Sequence, residues 1–359
     1  MKTLQQKTAL LAWGLCVASL LSNCKKDNPL SPLTEGKSIS AANRLAANLP
    51  SVSSQYEVAT IYKQTTPARI CSDANGTLYF TSSYTHQVFS YTQAGVGKLL
   101  VTLPSDNTGL LGEGGLKAGS NGTVYGTLTR ANKIYKIDRN KHLSYVPLSL
   151  SLNGPTDVAI GPDSSLYIAD SQNRRIVKVS PAGIATVLAG QTGVSGTADG
   201  PAATARFNRI IAIKFAADGN LYILDNNSSD PYDYNGQKLR RVTVGGTVST
   251  IFKLNEADTY IRDFGPAKRD KNFNETSQEN FFIIKVKNPL ATTDLYNMVS
   301  HISSTGVETA LTSYTGGYGI LDGPADKAEF TLLSGITVKP YGIFVTDYYG
   351  AIRVIKKTL

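Results

Sequence analysis

From residue 56 onward the chain is a succession of short runs in which apolar and polar residues alternate with period two, broken by Gly, Asn and Asp. The runs align on a two-residue anchor, aliphatic then aromatic: Leu78-Tyr79, Val124-Tyr125, Leu166-Tyr167, Leu221-Tyr222, Phe281-Phe282 and Ile343-Phe344. Six anchors define six units. In four of them a turn element stands just before the anchor: Asn75-Gly76, Asn121-Gly122, Asp218-Gly219 and Gly342. This is the chemistry of a tight hairpin. An apolar strand precedes each anchor, as at 157–160 and 211–215, and another follows it, as at 175–179 and 239–242. In the first five units a fourth strand comes next, as at 184–188 and 247–251.

Four antiparallel strands repeated six times predict an all-β fold, a six-bladed β-propeller. The sixth unit stops after the strand at 352–355 and has no fourth strand of its own. The run 57–62 (EVATIY), ahead of the first unit, has the alternation of a fourth strand. It is expected to pair there, closing the ring and removing its open edges.

A phrase occurs twice, DGPAATARF at 199–207 and DGPADKAEF at 322–330. With the strands that follow, 153–251 resembles two consecutive NHL repeats and 322–357 a third. The resemblance implies a TolB-like or NHL-type propeller. Gly200 and Gly323 permit positive φ, Pro201 and Pro324 stiffen the link, and Asp199 and Asp322 are expected to brace it. Phe207 and Phe330 lead apolar strands and are expected to wedge between blades.

The first residues read differently. Lys2 and Lys7 precede a 13-residue, mostly apolar run at 9–21, shorter than the roughly 20 residues a spanning helix needs. Leu21-Ser22-Asn23-Cys24 follows, and the whole resembles a bacterial lipoprotein signal, which implies a lipid on Cys24. The segment after it, Lys25-Lys26-Asp27-Asn28, resembles the tails of Bacteroidetes lipoproteins. The organisation expected is a signal peptide over 1–23, a flexible tether over 24–55 with Pro29, Pro32 and Pro50, and the propeller over 56–359. An exported protein anchored in the outer membrane follows, on its periplasmic face or the cell surface.

Cleavage removes Trp13, the single Trp, and leaves 34 of the 36 basic residues against 27 acidic, a net charge of +7. Of three Cys, Cys16 leaves with the signal and Cys24 carries lipid. Cys71 remains alone, without an intramolecular disulfide partner, and is expected to be buried. The basic residues, among them Lys268, Arg269, Lys271, Lys285, Lys287, Lys356 and Lys357, are dispersed. Export disfavours nucleic acid as a partner.

Asp170, Asp225 and Asp347 stand four residues past the aliphatic anchor, where the other units carry Ser82, Leu128 and Lys285. A ring completed by Ser, Leu and Lys has no consistent metal or acid–base chemistry, so these aspartates are read as structural, bonding turn amides. Arg174, Arg175 and Arg353 are spaced for local ion pairs. A zinc lyase resembling the peptide-amidating type needs three converging His. The three here, His86, His142 and His301, fall at unlike places in their units. No catalytic residue, metal site or cofactor is expected.

The links between second and third strands and those between blades share one face of a propeller. Tyr84, Tyr232, Tyr234, Tyr348 and Tyr349 fall in the former, Tyr314 and Tyr318 in the latter. They are candidate ligand-binding residues, suited to stacking on sugars or peptide side chains. The chain therefore reads as a non-catalytic binding module for a polysaccharide or an envelope protein. A propeller hydrolase or lyase, lactonase-like or lyase-like, is the alternative.

Overall fold

Alternation broken by hairpin turns builds six separate antiparallel sheets, all within one computed structural model. It describes residues 55–63, 66–82, 84–104, 114–228, 233, 235–256, 258–267, 280–287, 296–313 and 319–358. Cys24, the signal peptide, the tether up to residue 54, Tyr232, Tyr234, Tyr314, Tyr318 and the segment 268–279 lie outside the described residues.

Each sheet is one blade, and in the first five the four main strands stand in sequence order. Blade one runs through Pro67–Ser72, Leu78–Ser82, Gln87–Tyr91 and Gly97–Thr102, and blade two through Leu116–Ala118, Val124–Leu128, Lys133–Ile137 and Leu143–Tyr145. Blade three holds Pro155–Ile160, Leu166–Asp170, Arg175–Val179 and Ala185–Gly190. Blade four holds Arg209–Phe215, Leu221–Asn226, Lys238–Val242 and Thr247–Lys253, and blade five Thr259–Ala267, Asn280–Lys287, Tyr296–Ile302 and Glu308–Ala310. In blade six Leu333–Lys339, Gly342–Asp347 and Ala351–Lys357 are completed by Tyr56–Lys63, which pairs antiparallel with Ala351–Lys357. The ring is thus a six-bladed propeller closed by its N-terminal strand.

First strands of successive blades touch one another all the way round, which sets them on the axis. Every anchor pair lies in a second strand. The hairpin before it turns through positive φ, at Gly76 (85°) in blade one and at Ser164 (62°) in blade three, where no glycine marks the turn. Up-and-down strands place first–second and third–fourth hairpins at one end of the ring, and second–third and inter-blade links at the other.

The core lies between blades. Phe207 is fully buried among Ala159, Tyr167 and Ile176 of blade three and Ile213 and Ile223 of blade four. Phe330 sits likewise between blades five and six, among Phe282, Ile284, Ile343 and Val345. Burying such a ring contributes roughly 1.5–3 kcal/mol. The Gly-Pro pairs do more than turn the chain: Gly200–Pro201 adds a short fifth strand to Thr247–Lys253, and Gly323–Pro324 adds one to Tyr56–Lys63.

Candidate functional site

The tyrosine face straddles the seam where blade six meets blade one. Tyr84 leaves the second–third link of blade one, and Tyr348 and Tyr349 leave that of blade six. Their rings form a chain, Tyr84 to Tyr348 at 5.9 Å between centroids and Tyr348 to Tyr349 at 5.6 Å, nearly perpendicular. Tyr84 is 43% exposed and Tyr349 58%, whereas Tyr348 is 6% exposed and packs beneath them. Consecutive tyrosines therefore do opposite jobs: Tyr349 offers a ring to solvent and Tyr348 supports the floor. Tyr348 itself is no contact surface, because its ring is spent on its neighbours.

The repeated aspartates are drawn into buried clamps. Asp170 accepts from the Asn153 amide at 2.7 Å, Asp225 from Asn208 and Arg209 at 3.2 Å each, and Asp347 from Thr331 and Leu332 at 3.0 Å each. Those amides open the first strand of the same blade, so each aspartate ties second strand to first. The arginine partners come from third strands. Arg240 Nη1 lies 2.9 Å from Asp225 and Nη2 lies 2.8 Å from Asp199, while its guanidinium also donates to the Ala198 and Arg206 carbonyls at 2.6 Å each. Its plane stacks over Phe207 at 4.7 Å.

Arg353 repeats the arrangement with Asp347, Asp322, the Leu321 and Glu329 carbonyls, and the Phe330 ring at 4.6 Å. Asp199 and Asp322 thus grip an arginine and the outer strand, through Thr250 and Thr60, rather than bracing their own turns. Burial opposes ionisation of both, but bonds from those threonines and arginines hold both carboxyls below their ordinary value.

Blade three has a shorter version: Arg175 Nε meets Asp170 at 2.7 Å, with further bonds to Ser151 O and Thr192 Oγ1. Arg174 takes no part and donates to the Gly193 carbonyl instead. Lys285 is not a surface charge. It is buried against Glu256 and Glu308.

A second polar group, not evident from the motifs, lies on the axis. Asp157, Lys214 and Asp263 come from the first strands of blades three, four and five. Lys214 Nζ sits 3.6 Å from Asp157 and 3.5 Å from Asp263. Each aspartate also accepts a backbone amide of the next blade, Asp157 from Ile213 at 2.8 Å and Asp263 from Ile336 at 3.1 Å. Burial works against the Lys214 charge, but the two carboxylates outweigh it and raise the lysine's pKa above its usual value.

Gly115 makes room for this group: a Cβ there would fall 1.4 Å from Asp157 Oδ1. Cys71, Lys117 and Lys214 occupy one level of the ring, opposite the aromatic anchors Tyr79, Tyr125 and Tyr222. Cys71 is buried, and burial pushes its thiol up to about 12. The signal that could have found this group is a charge within a largely apolar first strand, as at Asp157, Lys214 and Asp263.

The histidines stand in three different blades: His86 in the second–third link of blade one, His142 at a hairpin of blade two, and His301 in the third strand of blade five against Phe282. Among the described residues no group of three His, Cys, Asp or Glu is placed to hold a metal ion.

No protein-family profile matches the chain, and no curated protein matches it. Solved structures do. An auxiliary nutrient binding protein from Bacteroides ovatus is 14% identical over 85% of this chain and 77% of its own, with a TM-score of 0.55. A gluconolactonase from Xanthomonas campestris is 12% identical over 93% of this chain and 99% of its own, with a TM-score of 0.53. A streptogramin B lyase is 13% identical over 84% and 98%, with a TM-score of 0.52. One binding protein and two enzymes share the architecture, and at such identities the likeness establishes the fold: this chain is a six-bladed β-propeller.

Proposed function

We propose that the chain is a non-catalytic binding module of the NHL type, displayed on the cell envelope by a lipid on Cys24 with residues 24–55 as its tether. The observation that carries the binding role is the aromatic face at the seam of blades six and one. There the exposed rings of Tyr84 and Tyr349 rest on the buried ring of Tyr348. An aromatic plane held on a closed scaffold stacks on a sugar ring or a peptide side chain with little ordering cost. Tyr232, Tyr234, Tyr314 and Tyr318, which lie outside the described residues, remain candidates for the same surface in this reading. The ligand class is carbohydrate or envelope protein, and the role needs neither metal nor cofactor. A nutrient-binding protein of the same fold agrees with it in kind.

The test is retention of the full chain, in detergent, on beads carrying a panel of polysaccharides, with chromatography of each polysaccharide afterwards. Retention without product supports the binding module. Product formation would put a hydrolase or lyase in its place, and retention on no glycan would exclude the carbohydrate class and leave a protein partner. The anchor has its own test: Cys24→Ala should move the protein from the membrane to the soluble fraction, and unchanged fractionation would refute lipidation.

A further inference from the structure

The outer edges of the blades carry an inference independent of the tyrosine face. An outer strand offers unpaired amides and carbonyls to another chain, and proteins blunt such edges with charge, proline, shortness or a covering segment. Five blades do so. Gly200–Pro201 covers the outer strand of blade four, and Gly323–Pro324 that of blade six. The outer strand of blade one holds Lys98, and Lys141 Nζ donates to its Leu99 carbonyl at 3.0 Å. Those of blades two and five are three residues long, with Pro147 just past the first and Glu308 opening the second.

Blade three has none of these devices. Its sheet ends on Ala185–Gly190 (ATVLAG), which carries neither charge nor proline. Ile184, just before it, is 63% exposed and Val187 46%. Blade four shows which groups are open. Val177 stands opposite Val187 as Arg240 stands opposite Thr250, each just past a bulge at the same place in its blade. Val179 stands opposite Ala185 as Val242 stands opposite Val248. In blade four Val248 pairs with Gly200, and the Thr250 amide donates to Asp199 at 2.8 Å. The equivalent Ala185 and Val187 therefore turn their backbone groups outward. The link leading into blade three, 146–154, has no Asp-Gly-Pro phrase to meet them. At the far end of the strand the Gly190 amide is tied to the Ala202 carbonyl at 3.1 Å, which leaves the stretch up to Val187 open.

We propose that blade three pairs through this edge with the same strand of a second copy, joining two propellers about a twofold axis. The slot defines its occupant. Where blade four offers Arg240 to the Asp199 carboxylate, blade three has the buried, apolar Val177, so an acidic segment finds no cation and an uncharged one fits. The strand itself has that character, and pairing it antiparallel with its own copy sets no like charges opposite one another. The register follows from the outward groups: Ala185 of each copy faces Val187 of the other, and Thr186 faces Thr186. An isologous contact of this kind closes on itself and stops at two copies. Blade three stands across the ring from blade six, so the tyrosine face stays open in the pair.

The experiment is sedimentation equilibrium of the full chain in density-matched detergent, on the parent, Val187→Lys and Val187→Thr. A reversible dimer is expected, weakened tenfold or more in Val187→Lys at unchanged melting temperature, and kept in Val187→Thr, which stays uncharged and β-branched. Both copies carry a formal net charge of +9, so added salt should strengthen the dimer by screening their repulsion. Oxidation reads the register. In a chain carrying Cys16→Ser and Cys24→Ser, Thr186→Cys should form a disulfide-linked dimer, because a facing pair without mutual hydrogen bonds lies within disulfide reach. Val96→Cys, also exposed but on blade one, should not. No dimer, a dimer unchanged by Val187→Lys or weakened by salt, or equal linkage through Val96→Cys would overturn the proposal.

Discussion

Arg240→Met removes the cation from the most fully satisfied clamp in the propeller. Neither the Arg240 nor the Asp225 side chain has any exposed surface, and their contact is 2.9 Å. Breaking a buried pair from one side leaves an uncompensated charge and costs about 3–5 kcal/mol. The upper end applies here, because the Ala198 and Arg206 carbonyls lose their donor as well and Asp199 keeps only Thr250.

The pH dependence gives a second handle. Burial, only partly offset by Arg240, raises the Asp225 carboxyl to about 6, above its unfolded value near 3.9. A raised carboxyl binds its proton more tightly when folded, so the penalty is absent below about 4 and grows as pH rises through about 6. Without Arg240 the carboxyl rises further. The loss of stability in Arg240→Met should therefore be smaller at pH 5 than at pH 7.5. Equilibrium urea unfolding of parent and variant at both pH values measures this, with Asp225→Asn added to Arg240→Met recovering part of the loss. A single variant within about 1 kcal/mol of the parent, or a loss larger at pH 5, would refute the reasoning.

Two further outcomes follow from the packing. Deleting 56–63 opens blade six, exposes the edge of Ala351–Lys357 and uncovers Val58, which is 1% exposed; calorimetry should record a sharply lower melting temperature, and parent-like melting would contradict closure as a source of stability. Cys71, with its thiol pushed up to about 12 by burial, should react with an aromatic disulfide reagent at neutral pH only after denaturant is added, and rapid labelling of the native chain would count against that environment.

Much of the architecture is legible from one-dimensional periodicity, because propeller blades are local. A hairpin repeats its anchor at similar spacing, and a missing fourth strand in the last unit leaves a gap that only a run such as 57–62 can fill. The clamps are half legible. Their aspartates recur at fixed distance from the anchors, but Arg353 follows Asp347 by six residues and Arg240 follows Asp225 by fifteen, since the longer link 227–237 intervenes. The arginine side of the pattern is therefore out of phase, and Arg174 beside Arg175 offers a false match.

The axial group was not legible for a different reason. Asp157, Lys214 and Asp263 each stand in a largely apolar strand of a different blade, and only the packing of successive first strands brings the three together. Side-chain burial in a turn is also beyond the pattern, which is why adjacent Tyr348 and Tyr349 read alike yet one ring is buried and the other exposed.

The central claim, that the tyrosine face is the binding surface, is tested most directly by comparing the parent with Tyr84→Ala/Tyr349→Ala on whichever polysaccharide or envelope protein retains the parent. Both rings are exposed, so the variant should keep the parent melting temperature. The account predicts at least a tenfold loss of affinity at unchanged stability, as for removal of two stacking rings. Unchanged affinity in a folded variant would contradict it and move the binding surface elsewhere on the propeller.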